Sequence, residues 1–170
     1  MNVMKEIRIA KVTLNMGTGG PGERLEKGLK LLNKLTNMKP VPTTTKKRIP
    51  TWDIRPGLQI GCKVTVRGKK GEELLKRILT VHKEKLNQLK FDSQGNFSFG
   101  VEEYLDIPGI QYDPSIGIIG FDIAVTLERP GFRISKRTIL KRKIPMKHKI
   151  TKEEAIDFVN KKFTIEVAAQ

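Results

Sequence analysis

The sequence has little of the chemistry that enzymes and metal sites use most often. It contains one cysteine, Cys62, and two histidines among its 170 residues. A single cysteine excludes a disulfide within the chain and a cysteine-clustered zinc site. Two histidines and one cysteine give no basis for a multi-histidine metal site or a Cys–His nucleophile pair. We therefore expect no enzymatic activity, no metal and no cofactor.

Long apolar segments are missing as well. The longest stretch without a charged residue, residues 12–22, is glycine-rich and much shorter than the ~18 apolar residues of a membrane-spanning helix. Residues 5–11 already carry several charges, which is unlike a signal peptide. These absences predict a cytosolic protein with no membrane partner.

Positive charge is what the sequence has in excess. Lys and Arg number 33 against 18 Asp and Glu, a net charge of +15, while 38% of the residues are hydrophobic. That apolar content suffices for a folded core, and so much charge of one sign favours a polyanionic partner. The excess lies mainly in residues 39–70, with nine bases and one acid, and in residues 129–152, with ten bases and no acid. Because a solvated surface normally mixes both signs, these two segments predict contact with nucleic acid.

Apolar periodicity predicts strands and helices in alternation, without a strict βαβ rhythm. The expected strands are residues 7–16, with a phase slip near Ala10 that suggests a bulge, and residues 60–67, 95–102 and 118–127. The expected helices are residues 23–37, 72–89 and 152–163. Thr151 and Glu154 form a capping box at the start of the last helix. This pattern predicts one α+β domain over residues 1–170, with a sheet backed by helices on one face.

Two glycine motifs are weak. Gly17, Gly19 and Gly22 match G-x-G-x-x-G, but no acidic residue follows at the distance that ribose binding requires, so a nucleotide-dependent enzyme is disfavoured. The free amides of that loop remain available to a phosphate. Gly68 and Gly71 form a GXXG like the RNA-clamping loop of a KH domain, but this one joins a strand to a helix, which favours a tight basic turn. A stand-alone KH-like RNA-binding protein or RNA chaperone is the alternative.

Single candidates have ordinary explanations. His82 lies on the apolar stripe of its predicted helix and is expected in the core, whereas His148 is expected as a weak phosphate contact. A stronger candidate site is residues 43–55, which combine three consecutive threonines, three consecutive bases and the only tryptophan, Trp52. Hydroxyls and bases suit phosphate and ribose oxygens. Trp52 either stacks on an exposed base or folds back onto the core.

At these residues the chain resembles the L-five family of large-subunit ribosomal proteins, in its archaeal and eukaryotic branch. The resemblance rests on KVTLNMGTG, GNFSFGVEE, IPMKHKITKEEAIDF and the longer blocks at residues 40–68 and 109–131. These blocks follow the family order over nearly the whole chain. The sequence departs from the family at Asn37 and Met38, where Gly-Gln is expected.

The resemblance implies an antiparallel-dominated sheet and a role in attaching 5S rRNA within the central protuberance of the large subunit. The implied partners are 5S rRNA, large-subunit rRNA, the P-site tRNA, other proteins of the central protuberance, and a small-subunit head protein of the S-thirteen family. That last contact would form an intersubunit bridge.

The resemblance also implies roles for particular residues. It matches Asn15 and Thr65 to residues that meet 5S rRNA, and we expect six further residues to contact 5S rRNA with them: Gly17, Thr43, Lys46, Arg48, Lys63 and Arg67. Those assigned to a loop that reaches the P-site tRNA are Ile49, Thr51, Trp52, Arg55 and Gly57, and this loop is expected to be mobile and to contribute nothing to the core.

Within the basic segment 129–152, residues 129–149 are expected to be disordered or extended until they meet rRNA, because the ten bases of the segment cannot pack on one another. The bases expected to contact rRNA phosphates are Arg133, Lys136, Arg137, Lys141, Arg142, Lys143 and Lys147.

Overall fold

The protein has an α+β fold with a five-stranded, open antiparallel sheet. The structure, a computed structural model, describes residues 2–80, 86 and 88–163. In chain order the elements are β1 (Arg8–Gly17), α1 (Glu23–Thr36), β2 (Val41–Thr44), β3 (Gln59–Val66), α2 (Gly68–Leu79), β4 (Phe97–Val101), β5 (Phe121–Glu128), α3 (Arg133–Lys136) and α4 (Lys152–Phe163). The strands follow the order β2-β3-β1-β5-β4, so β2 and β4 are the edges. The predicted fold class is confirmed.

The contacts divide the chain into two compact units. One is formed within residues 1–12, 67–99 and 125–170, and the other within residues 13–66 and 100–124. In the second unit α1 packs on β2 and β3, and its Leu31 and Leu32 are fully buried. In the first unit Leu75 of α2 and Val159 of α4 are fully buried. Each unit therefore has apolar side chains from a helix in its own core.

The strands bury alternate residues, as a half-buried sheet requires. In β3 the predicted set Cys62, Val64 and Val66 is buried, while Lys63 between them is exposed. Burial raises the pKa of the Cys62 thiol to about 11. A thiol with this pKa is protonated at neutral pH, as expected for a buried residue of the core.

The phase of burial in β1 changes along the strand. Ile9 and Val12 are both buried although three positions separate them, and Leu14 and Met16 then continue the second phase. The phase slip that the sequence indicates near Ala10 is therefore present in the burial pattern.

Helix α1 confirms the predicted helix, and its end explains an unusual residue. Asn37 follows the helix in the left-handed conformation, with φ of 51°, and its N–H donates to the carbonyl oxygen of Asn33 at 2.8 Å. Glycine is the usual residue at such a position, and asparagine is the side chain that tolerates it best.

Helix α2 differs from its prediction at both described ends. It begins at Gly68, because the GXXG forms its first turn, with Gly71 buried. Leu89, predicted on the apolar stripe, is exposed in a separate 3-10 turn at Gln88–Lys90. The position predicted for His82 lies outside the described residues.

Helix α4 has the predicted bounds, and its capping box is formed. The Thr151 N–H donates to Glu154 Oε2 at 3.1 Å, and the Glu154 N–H donates to Thr151 Oγ1 at 3.3 Å. These two bonds satisfy amides that the first turn of a helix leaves unpaired.

Candidate nucleic-acid interface

The second unit has a polar sheet surface built from β1, β2 and β3. Antiparallel pairing sets Val41 opposite Lys63 and Thr43 opposite Gly61, and directly opposed residues share one face of a sheet. Lys63 and Val41 are exposed, whereas Cys62 beside them is buried on the other face. We call the side that carries Lys63 the open face.

The open face continues onto the neighbouring strands. Asn15 of β1 is exposed between the buried Leu14 and Met16, and Thr65 of β3 is half-buried between buried valines. Thr43 of β2 is half-buried, and Gly17 is exposed at the end of β1. Five residues predicted to bind 5S rRNA therefore lie on this face: Asn15, Gly17, Thr43, Lys63 and Thr65.

Gly61 is a residue of this face that sequence reasoning missed. A Cβ built there would lie 2.5 Å from the carbonyl oxygen of Met16 and 3.0 Å from Oγ1 of Thr43. Only glycine fits such a close approach of backbone and side chain. The sequence shows a glycine inside an alternating strand at this position. It does not show that the backbone of Met16 and the side chain of Thr43 approach it closely, which is why glycine is required.

The remaining residues assigned to 5S rRNA lie outside the open face. Lys46 and Arg48 are exposed in the chain that follows β2. Arg67 is exposed as the N-cap residue of α2, in the other compact unit. The amides expected to be free in the glycine loop are partly occupied, because Thr18 and Gly19 both donate to the carbonyl oxygen of Ile60.

The loop assigned to tRNA is a closed loop, held by successive backbone hydrogen bonds. Thr45 and Leu58 are joined at its base by a 2.9 Å bond, and Ile49 and Ile54 exchange bonds of 2.9 and 3.1 Å nearer the tip. Ile54 is buried, so the expectation that this loop contributes nothing to the core is wrong. Its bonds also argue against the expected mobility.

The tip of this loop projects an aromatic side chain into solvent. Trp52 is 71% exposed, so the interpretation that it folds back onto the core is wrong. Thr51, Arg55 and Gly57 are also exposed, and Ile49 is half-buried. An exposed indole is suited to stacking on an unpaired base or a ribose.

The basic segment has a folded path, in place of the disordered or extended one that its charge predicts. It contains the short helix α3 and a 3-10 turn at Met146–His148. Arg129, its first base, is only 5% exposed and donates to the carbonyl oxygen of Lys149 at 3.1 Å and to Glu154 Oε1 at 2.8 Å. The amide of Thr151, and then this guanidinium, hold the pKa of Glu154 below its usual value.

His148 makes a structural contact within this segment. Its Nε2 lies 2.9 Å from the carbonyl oxygen of Pro130, and its ring meets Phe132 edge to face. The ring is only half-buried, so the weak phosphate contact expected of His148 stays a prediction beside this structural role.

The predicted phosphate contacts of this segment fall into two groups. Lys136 pairs with Glu128 at 2.7 Å, and Arg137 Nε donates to the carbonyl oxygen of Leu140 at 2.9 Å. The others are exposed: Arg133, Lys141, Arg142, Lys143 and Lys147. These five side chains form the accessible part of the predicted phosphate-binding set together with Lys136, whose side chain is exposed although it pairs with Glu128.

Other classes of site find no support in the described part of the chain. No group of three or more His, Cys, Asp or Glu side chains there is placed to hold a metal ion. Within residues 2–80, 86 and 88–163, no helix combines the length and apolar content needed to cross a membrane.

Comparison with known families identifies the chain. A sequence model described as "Ribosomal protein L5" matches residues 2–55, and a second, which describes the C-terminus of the same ribosomal family, matches residues 59–158. The chain belongs to the ribosomal protein L5 family. This family consists of structural ribosomal proteins and not of enzymes.

Members of the L5 family from archaea are similar to this chain over nearly its whole length. The protein of Sulfurisphaera tokodaii is 46% identical over 168 residues, which cover 98% of this chain and 95% of that protein. The protein of a Methanococcus maripaludis strain is 48% identical and covers 98% of this chain and 94% of its own length. Both relatives bear the name large ribosomal subunit protein uL5. The resemblance found in the sequence is therefore confirmed.

The departure from the L5 family pattern at positions 37 and 38 has two different consequences. Asn37 retains the left-handed helix end that the expected glycine would make. Met38 is exposed and cannot donate a hydrogen bond as the expected glutamine would.

Proposed function

We propose that this chain is a structural protein of the large ribosomal subunit, in the cytoplasm, that binds 5S rRNA and helps to attach it within the central protuberance. Membership of the L5 family supports the ribosomal role, and the names of the relatives support the large subunit. The net charge of +15 supports an RNA partner.

The open face of the second unit is the proposed 5S rRNA site. The observation that carries this assignment is the placement of Asn15, Thr43, Lys63 and Thr65 on one accessible side of three neighbouring strands. The amide of Asn15 and the hydroxyls of Thr43 and Thr65 can both donate and accept hydrogen bonds, so they suit base edges and ribose hydroxyls. Lys63 donates only and suits phosphate, where contacts set the register of the RNA.

The loop of residues 49–58 is the proposed contact with the P-site tRNA. It carries the exposed Trp52 at its tip and the exposed Arg55 further along, and the backbone hydrogen bonds between Ile49 and Ile54 close that tip. The intersubunit contact with a small-subunit head protein of the S-thirteen family completes the proposal, together with contacts to large-subunit rRNA and to other proteins of the central protuberance.

Substitution on the open face tests the 5S rRNA site. Asn15→Ala and Thr65→Ala should each weaken the affinity for isolated 5S rRNA by roughly 1 kcal/mol, because a hydrogen bond desolvated in the complex is lost. Filter binding measures the affinity. The melting temperature should hardly change, since Asn15 is exposed and Thr65 is only half-buried.

Ser98→Ala is the matched control. Ser98 is an exposed polar residue of β4, on the opposite sheet edge from β2, and lies in the other compact unit. The Ser98→Ala variant should bind 5S rRNA as the wild type does. A variant of Asn15 or Thr65 that melts early and keeps full affinity would mean that the side chain serves folding and not recognition.

A further inference from the structure

Residues 129–149 form a hairpin whose contacts are nested about its centre. Arg129 binds the carbonyl oxygen of Lys149, and the carbonyl oxygen of Pro130 meets the ring of His148. Further along, the Arg142 N–H donates to the carbonyl oxygen of Ile134 at 3.1 Å, and Arg137 Nε donates to that of Leu140 at 2.9 Å. Each pair encloses the next, so the chain turns at residues 138–140. We call residues 129–149 the basic hairpin.

The turn of the basic hairpin carries two exposed apolar side chains. Ile139 is 78% exposed and Leu140 is 74% exposed, which are high values for residues of this kind. They add nothing to the core of their unit. The three residues that follow are all basic and exposed: Lys141, Arg142 and Lys143.

Leu140 has an unusual backbone conformation. Its φ is 51°, in the left-handed region that branched and bulky residues seldom adopt. The bond from Arg137 to the Leu140 carbonyl oxygen lies at this residue. Backbone strain at an exposed apolar tip destabilises the fold, and the tip makes no core contact that would offset this. Such strain is found at binding sites.

We infer that Ile139 and Leu140 form an apolar wedge that inserts beside unstacked bases of ribosomal RNA. This inference rests on the proposed role as an rRNA-binding protein and adds a contact of a different kind from the phosphate contacts of the hairpin. Leu and Ile are among the residues that proteins insert between base steps, and loops and bulges of RNA offer unstacked bases.

Charge complementarity selects RNA over a protein partner for this surface. Residues 129–152 contain ten bases and no acid, so any partner of the tip must also accept a dense positive field. A polynucleotide supplies both phosphates and base faces within a few ångströms of each other. An apolar protein surface supplies neither the counter-charge nor its regular spacing.

The first test separates apolar from electrostatic binding. The double variant Ile139→Thr with Leu140→Asn removes the apolar tip, and asparagine tolerates the left-handed conformation. Its affinity for deproteinised large-subunit rRNA should fall about tenfold, as expected for the apolar area lost, while the slope of log affinity against log salt stays unchanged. The comparison variant, with Lys141, Arg142 and Lys143 all replaced by Ala, should lower that slope by about two to three units.

The second test detects base contact directly. In a Trp52→Phe background, Ile139→Trp places the only indole of the protein at the tip. Its fluorescence should be quenched by rRNA, because bases stack on it, and not by heparin, which is a polyanion without bases. Equal effects of rRNA and heparin would mean that only charge is sensed, and would overturn the inference.

The other outcomes are equally distinct. If the double variant binds rRNA as tightly as the wild type, the wedge does not exist. If it binds rRNA normally but is lost from reconstituted subunits, the tip contacts a protein and the inference is wrong. If the wild type itself fails to bind rRNA, the proposed function fails, and the wedge with it.

Discussion

At the scale of single residues, Gly61 shows how the candidate interface depends on close backbone approach. Gly61→Ala would place a methyl group 2.5 Å from the carbonyl oxygen of Met16, so strands β1 and β3 would have to shift. We expect the free energy of unfolding to fall by about 1–3 kcal/mol, as for other overpacked sites. Urea denaturation measures it.

Gly100→Ala is the control for this substitution. A Cβ at Gly100 in β4 would meet only Oδ1 of Asp122, at 3.4 Å, which is an ordinary contact. Its stability should stay near that of the wild type. If both alanine variants are equally stable, the close approach at Gly61 carries no energetic cost and that account of it is wrong.

Other single residues show what the sequence could and could not indicate. Alternation alone indicates that Asn15 and Thr65 face away from the buried valines and leucines, and their exposure agrees with this. The burial of Arg129 has no signal in the sequence, where it is one of ten bases in an acid-free segment. Its partners lie about twenty positions away, so only the folded chain brings them together.

At the scale of elements, the loop of residues 49–58 and the open face have separable roles. Changing Trp52 and Arg55 together to Ala should leave 5S rRNA binding nearly unchanged, because both side chains are exposed and lie in this loop, outside the open face. The same variant should impair the handling of tRNA in the P site. Filter binding with isolated 5S rRNA and tRNA release from reconstituted ribosomes measure the two effects.

Substitution is a cleaner test here than shortening the loop. Ile54 is buried, so a deletion would remove a core residue together with the tip. Lys90→Ala, which changes an exposed base in the other unit, is a suitable control. If the Trp52 and Arg55 double variant loses 5S rRNA binding and handles tRNA normally, the roles proposed for the loop and for the open face are wrong.

The capping box at the start of α4 leads us to predict how the stability of the protein depends on pH. The Thr151 amide, and then the Arg129 guanidinium, lower the pKa of Glu154 from 4.5 in the folded state. A carboxyl with a lowered folded pKa stabilises the protein above its unfolded pKa, and that contribution is lost as the pH falls through the folded value. Glu154→Gln keeps the shape of the capping box but removes the charge.

We therefore expect Glu154→Gln to be less stable than the wild type by about 1 kcal/mol near neutral pH. The effect is modest because the Glu154 side chain is 43% exposed and solvent screens its charge. Urea denaturation at about pH 7 and about pH 3 should show this difference shrinking in acid, as the wild-type carboxyl takes up its proton. A difference that is the same at both pH values would mean that the charge of Glu154 is not what stabilises the helix start.

At the scale of the whole molecule, charge and fold agree on the class of partner. The two segments richest in bases, residues 39–70 and 129–152, contain β2, the chain that follows it, β3 and the basic hairpin. The acids are concentrated elsewhere, and several pair with bases of their own unit, as Glu128 does with Arg8 and Lys136. The excess of positive charge is therefore available to bind phosphate, as expected for a member of the L5 family.

The sequence did not indicate the short helix α3 or the start of α2, but by itself it determined most of the elements, the class of partner and the family. Those features depend on composition, on periodicity and on near neighbours, which one chain segment already contains: the capping box of Thr151 and Glu154 is an example. Only the tertiary structure decided the paths of the irregular segments. The exposure of Trp52, the closure of the basic hairpin by Pro130 and His148, and the need for glycine at position 61 all depend on contacts between residues far apart in the chain. No local pattern encodes which distant neighbour a loop will meet, because that is settled by the packing of the whole fold.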